Sequence, residues 1–127
     1  MAESRPFSYA VLRVVPCLQR GERLNVGLAL FCRQLDFLEL ETRLDRDRLA
    51  AIAPDLDPEP VEARLEVIRR VVEGDPAAGA LAEMDPSDRF GWLTAPSSTI
   101  IQSSEVHTGL TSDPAAELDR LFRNLVL

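Results

Sequence analysis

The chain has 127 residues, 46% of them hydrophobic and 28% charged, with a formal net charge of -7. That composition is too apolar for a disordered chain, and the longest apolar run, Val26 to Cys32, falls far short of the roughly 18 residues a membrane-spanning helix needs. A pI near 4.7 sets the chain apart from dedicated nucleic-acid binders, whose affinity comes mainly from cations meeting phosphates.

Residues 8–17 and 24–33 are rich in β-branched and apolar side chains, and Arg20-Gly21-Glu22 between them has turn chemistry. The pattern predicts a β-hairpin whose strands are apolar on nearly both faces, hence central and covered. A turn at Arg20-Gly21 pairs residues whose numbers sum to about 41. Cys17 then faces Leu24 and Cys32 faces Tyr9, so the expectation is two free, largely buried thiols and no bridge. Gln34-Leu35-Asp36 is a short turn into a third strand, residues 37–43, where Leu38 and Leu40 alternate with Glu39 and Glu41.

From Asp45 the period changes to that of helices. A short helix is expected over 45–53, stopped by Pro54. The main helix follows over 58–73, with Val61, Leu65, Ile68 and Val72 in a core-facing stripe and Gly74 to end it. Asp-Pro occurs at Asp57-Pro58, Asp75-Pro76, Asp85-Pro86 and Asp113-Pro114. Each pairs an N-cap acceptor with proline at the first helical position and marks a helix start. The second and third head short turns over 76–83 and 86–93, with 74–86 the expected flexible stretch. Residues 98–104 read as a fourth strand with a wet face, and 113–127 as the last helix. The whole is one domain over 1–127, of α+β class. It has a mostly antiparallel sheet of about four strands, two main helices and short helical turns.

The charge is unevenly spread. Residues 1–35 carry five arginines against two acids, the remainder nine against nineteen, and there is no lysine. The chain opens Met-Ala-Glu-Ser-Arg-Pro, without the basic start and apolar stretch of a secretory leader, so a cytoplasmic location is expected. One histidine and two strand cysteines do not make a zinc set of usual spacing. The six scattered glycines form no phosphate loop. Neither metal nor cofactor is expected.

Several residues are candidates for function. His107, in Glu105-Val106-His107-Thr108-Gly109, reads as a structural histidine donating a hydrogen bond in the turn before the last helix. It is also the only imidazole and a candidate general base. Arg20, Glu22 and Arg23 at the hairpin tip form a solvated turn or an anion-seeking surface. Asn25 and Gly27 share one face of the second strand. Glycine inside a strand implies something packed close, whether backbone, ring or ligand. Arg13, on an otherwise apolar face with Tyr9, Val11 and Val15, needs a partner, and Glu39 or Glu41 is the natural one. Phe90 and Trp92 anchor a helix to the sheet, or Trp92 is a partner-binding anchor. Ser97, Ser98, Thr99, Ser103 and Ser104 form a hydroxyl-rich run, either the wet side of an edge strand or an anion-contacting segment.

Five stretches (YAVLRVVP from Tyr9, Arg20-Gly21-Glu22, NVGLALFC from Asn25, FGWLTAPSSTIIQ from Phe90 and VHTGL from Val106) resemble a small bacterial family of domains of unknown function. The resemblance runs over nearly the whole chain. It offers no catalytic residues to carry over. It implies stand-alone cytoplasmic proteins and a HipA-like serine/threonine kinase as partner, encoded alongside. The matching positions are Arg20, Glu22, Asn25, Gly27, Trp92, Gln102, His107, Thr108 and Gly109, the same features that stand out on physical grounds.

Two functions follow from different classes. One is a non-enzymatic interaction or regulatory module that pairs with a protein partner or with itself. The other is an enzyme or small-ligand binder for an anionic, nucleotide-like substrate, with Arg20 and Arg23 on the anion and His107 moving a proton. The second requires His107 and the Arg20 tip to lie within about 12 Å, the span of one small substrate. Direct nucleic-acid contact through the basic hairpin is a weaker third reading.

Overall fold

The structure is a computed structural model describing residues 3–97 and 99–127. Its strands are β1 (Arg5–Val14), β2 (Leu24–Cys32), β3 (Phe37–Thr42), β4 (Ile101–Ser103) and β5 (His107–Thr111). Its helices are α1 (Arg46–Ile52), α2 (Pro58–Val72), α3 (Pro86–Thr94) and α4 (Pro114–Leu125). The sheet is antiparallel throughout, in the order β3-β2-β1-β4, with β5 also paired to β1. The α+β class and the central hairpin are as the apolar patterning predicts.

Each face of the sheet carries its own core. On one side Leu12, Val14, Ala29 and Leu40 pack under α1, α2 and α3 through Leu49, Leu65, Ile68 and Phe90. On the other, Phe7, Val11, Leu28 and Leu30 pack under Leu118, Leu121 and Phe122 of α4. That is why β1 and β2 lack a polar face while the edge strand β3 alternates.

All four Asp-Pro pairs cap. The carboxylates of Asp57, Asp75, Asp85 and Asp113 accept from the backbone N–H of Glu59, Ala77, Asp88 and Ala116. The Asp75 start yields only a single 3₁₀ turn, Pro76–Ala78, followed by a second, Ala80–Glu83. The Asp85 start yields a nine-residue helix. Gly74 adopts φ +77° just past α2, the left-handed conformation that closes a helix end. Arg89 completes that end: its guanidinium lies over Gly74 and donates to the carbonyls of Val72 and Met84 at 3.0 and 2.6 Å.

The hairpin register differs from the expected one. Tyr9 pairs with Leu30, so partner numbers sum to 39 over most of the ladder, and β1 ends at Val14 instead of continuing to Cys17. The connection is therefore residues 15–23, longer than a tight turn. Cys32 is buried as expected but Cys17 is exposed; both are free thiols. The ladder slips between Leu12 and Arg13, whose partners are Gly27 and Asn25. The extra residue, Val26, makes a bulge, and it sets Asn25 and Gly27 on opposite faces, not on one. A Cβ on Gly27 would lie 3.1 Å from the Glu41 carbonyl oxygen and 3.3 Å from Leu12 Cβ. What packs close to Gly27 is its two neighbouring strands, through the Glu41 carbonyl and the Leu12 and Thr42 side chains.

The expected fourth strand over 98–104 is only Ile101–Ser103, and Ser98 lies outside the described residues. The segment read as a turn around His107 is instead β5. β4 and β5 are one interrupted strand along β1. Leu12 pairs with Ser103 and Tyr9 with His107, one residue out of step. At the break the hydroxyl of Ser104 accepts from the N–H of Val11 at 2.9 Å and donates to the carbonyl of Glu105. A side chain thus fills the gap in the main-chain ladder.

Candidate functional site

The β4/β5 edge is the first candidate. Val15 N–H donates to the Ile100 carbonyl and Ser104 N–H to the Val11 carbonyl, so the odd-numbered residues of β1 turn their main-chain groups toward this edge. By strand alternation their partners His107, Gly109 and Thr111 face β1, and the N–H and C=O of Thr108 and Leu110 point outward. Among the described residues no strand pairs with them. Leu110 is 68% exposed, and Val106 and Ile100 are exposed beside the same edge. Gly109 is held in place by Phe7, because a Cβ there would lie 2.8 Å from two atoms of the ring.

His107 sits on this strand beside Tyr9, ring centroids 5.2 Å apart, with Nε2 4.0 Å from the Glu105 carboxylate. It is half-exposed and on the α4 side of the sheet. Thr108 is exposed opposite Ser8.

A cleft of about 470 Å³ is the second candidate. The described residues of the motif FGWLTAPSSTII, Phe90–Ser97 and Thr99–Ile101, supply much of its wall. Asp85 starts α3; Phe90 buries against Phe31 at 5.5 Å, anchoring the helix as expected; Pro96 prevents α3 from continuing. The chain then turns back toward the sheet. Ser97 and Thr99 hydroxyls lie 2.9 Å apart, and Thr99 Oγ1 donates to the Ile101 carbonyl at 2.8 Å. Trp92 and Leu93 form one wall, Ile68 and Arg64 of α2 the other, and Leu12 and Ile101 the floor. Arg64 makes no ion pair or hydrogen bond with a described residue. The sequence holds one signal for it: positions three and four away on the helix are Pro60, Val61, Val67 and Ile68, none of them acidic.

The hairpin end places the remaining candidates. Arg20 Nε pairs with Glu22 Oε1 at 2.5 Å, so the tip is an ion pair closed on itself. The same contact raises the Arg20 pKa, through its hydrogen bond to the carboxylate and the opposite charge. Asn25 Nδ2 donates to the Leu125 carbonyl at 2.9 Å, fastening the end of α4 to β2. Arg23 lines a shallow groove there with Asn25 and Arg48. Gln102 stands opposite Arg13 in register, and its amide donates to the Thr99 carbonyl at 2.8 Å.

The expected ion pair from Arg13 to Glu39 or Glu41 does not form, because β2 lies between β1 and β3. Arg13 instead sits between Asn25 and Gln102, and its buried Nε has no hydrogen-bond partner among the described residues.

Nor does the fold bring His107 and Arg20 together. Tyr9, the partner of His107, is five residues from Val14, about 17 Å along the strand, and Arg20 lies beyond that end. Arg20 borders a groove with Pro16, Cys17 and the α1–α2 connection instead.

No described helix is long and apolar enough to cross a membrane. No curated protein and no solved structure matches this chain. A family model described as a protein of unknown function, DUF3037, matches residues 9–126, a span that takes in the hairpin, the cleft and the β4/β5 edge; the chain belongs to that family.

Proposed function

We propose that this protein is a non-enzymatic interaction module that takes an extended segment of a partner protein along β5. The observation that carries the reading is the exposed Leu110 on an edge strand whose outward main-chain groups lack a partner among the described residues. Strand addition supplies affinity through those groups and specificity through the alternate side chains. The opposite edge offers a contrast. β3 carries the exposed carboxylates Glu39 and Glu41, a charge pattern that discourages strand addition. From Val106 to Thr111 the β5 edge has no acid, arginine or proline. His107 and Thr108, on the same strand before the apolar position, then act in recognition and not in proton transfer.

The HipA-like serine/threonine kinase implied by the family resemblance is the first partner to try. The two proteins are co-expressed and the complex is followed by size-exclusion chromatography at micromolar concentration, with Thr108→Pro and Leu110→Lys as variants. The expected result is a complex that both substitutions abolish while the far-UV circular dichroism of the chain is unchanged. A complex insensitive to both substitutions, or no association with the kinase, removes this reading. Association of the chain with itself in the same run, lost in the same variants, assigns β5 to a second copy instead.

A further inference from the structure

We propose that the cleft between α2, α3 and the residues Ala95–Ser97 and Thr99–Ile101 is a binding site for a small apolar monocarboxylic acid that also carries an N–H or O–H donor. Three observations define that ligand. The floor and walls are apolar (Leu12, Ile68, Leu93, Ile101 and Trp92), and the volume of about 470 Å³ falls in the range of small-molecule sites. An apolar body is what such walls accept.

The second observation is Arg64. The other arginines of α2 are engaged: Arg69 binds Glu66 and Glu73, and Arg70 binds Glu66. Arg64 has neither a described partner nor an acid within reach on its own helix. Its guanidinium is a planar donor that matches one carboxylate in two parallel bonds. One cation balances one negative charge, which favours a monocarboxylate over a phosphate dianion.

The third observation is the state of the hydroxyls. Thr99 Oγ1 gives its proton to the Ile101 carbonyl, so in the 2.9 Å contact Ser97 must be the donor. Ser103 gives its proton to the Ser104 carbonyl. These protons are spent, and what the hydroxyls keep is lone pairs. They accept from a ligand; they do not donate to an anion. The carboxylate therefore goes to Arg64 and the donor group to the Ser97–Thr99 side.

Trp92, the single tryptophan, reports on the site. ¹⁵N-labelled protein is titrated with indole-3-carboxylate and, separately, with the neutral indole-3-carboxamide, and the Trp92 indole N–H signal is followed by NMR. The acid is expected to shift that signal saturably and to bind at least about ten-fold tighter than the amide, the gain of one charge-assisted pair. In Arg64→Gln, a substitution at an exposed side chain, the acid should fall to the affinity of the amide. Equal binding of acid and amide to the natural chain, a preference that survives in Arg64→Gln, or no shift with either compound overturns the proposal.

Discussion

Two residues hold the β4/β5 edge in shape, Phe7 through its ring and Ser104 through its hydroxyl. Phe7 covers Gly109 so tightly that any Cβ would meet the ring at 2.8 Å. Gly109→Ala should therefore destabilise the protein by about 1–3 kcal/mol, the usual range for overpacking, as read by urea denaturation. The double variant with Phe7→Leu should recover part of that loss, since the smaller side chain removes the contact. Ser104 supplies the hydroxyl that accepts from Val11 N–H. Ser104→Ala leaves a buried donor without a partner, at a cost of about 1–3 kcal/mol. Hydrogen exchange should show the Val11 amide losing protection out of proportion to its neighbours. Neither role is legible in the sequence, because each depends on a partner more than ninety positions away. The Asp-Pro caps, by contrast, are wholly local and could be read directly.

Among the elements, α2 carries a charge pattern with opposite pH responses at its middle and at its C-cap. The hydrogen bonds and charges of Arg69, with Arg70, hold the Glu66 carboxyl below its ordinary value of 4.5. Burial, with repulsion from Glu39, pushes the Glu73 carboxyl up despite Arg69 beside it. A lowered carboxyl stabilises the fold above its unfolded pKa and loses that contribution as pH falls. A raised one contributes below its unfolded pKa and loses the contribution as pH rises through its folded value. Glu66→Gln should therefore lower the melting temperature at pH 7 and leave it nearly unchanged at pH 3. Glu73→Gln should raise it at pH 7 and do little at pH 3. Both effects are small, since both side chains are partly solvated.

The same scale shows where patterning succeeds. The helices, the central hairpin and the half-exposed β3 are periodic and were legible. The strand β5 was not: a histidine, two threonines and a glycine carry no alternation, and only pairing with Tyr9 and Phe7 extends them. The hairpin register failed for a similar reason, because the bulge at Val26 leaves no mark in a run of apolar residues. In the cleft, Trp92 and the hydroxyl run stood out, but Arg64 joins them only through the packing of α2 against α3.

The whole molecule has two apolar layers that share β1 and β2. Neither layer has a sheet of its own, so the two should unfold together. Leu118→Ala on α4 and Leu65→Ala on α2 remove side chains that are almost fully buried. Each should cost about 2–5 kcal/mol, a large part of the 5–15 kcal/mol typical of a domain. Trp92 fluorescence and far-UV circular dichroism should give one midpoint in each variant, although Trp92 lies on only one side of the sheet. Two separated transitions would show that the layers are independent.

The one-residue step between β4 and β5 has a consequence for how this chain tolerates insertions and deletions. Without it, Tyr9 would face Val106 and Phe7 would face Thr108. The step acts as a parity bit that decides which residues turn toward α4 and which turn to solvent. Inserting one residue at Glu105 would not merely lengthen a surface connector. It would carry every later residue of the strand to the opposite side, put a threonine under the Phe7 ring and turn Leu110 inward. The count of residues between Ser103 and His107 is thus constrained more tightly than their identity.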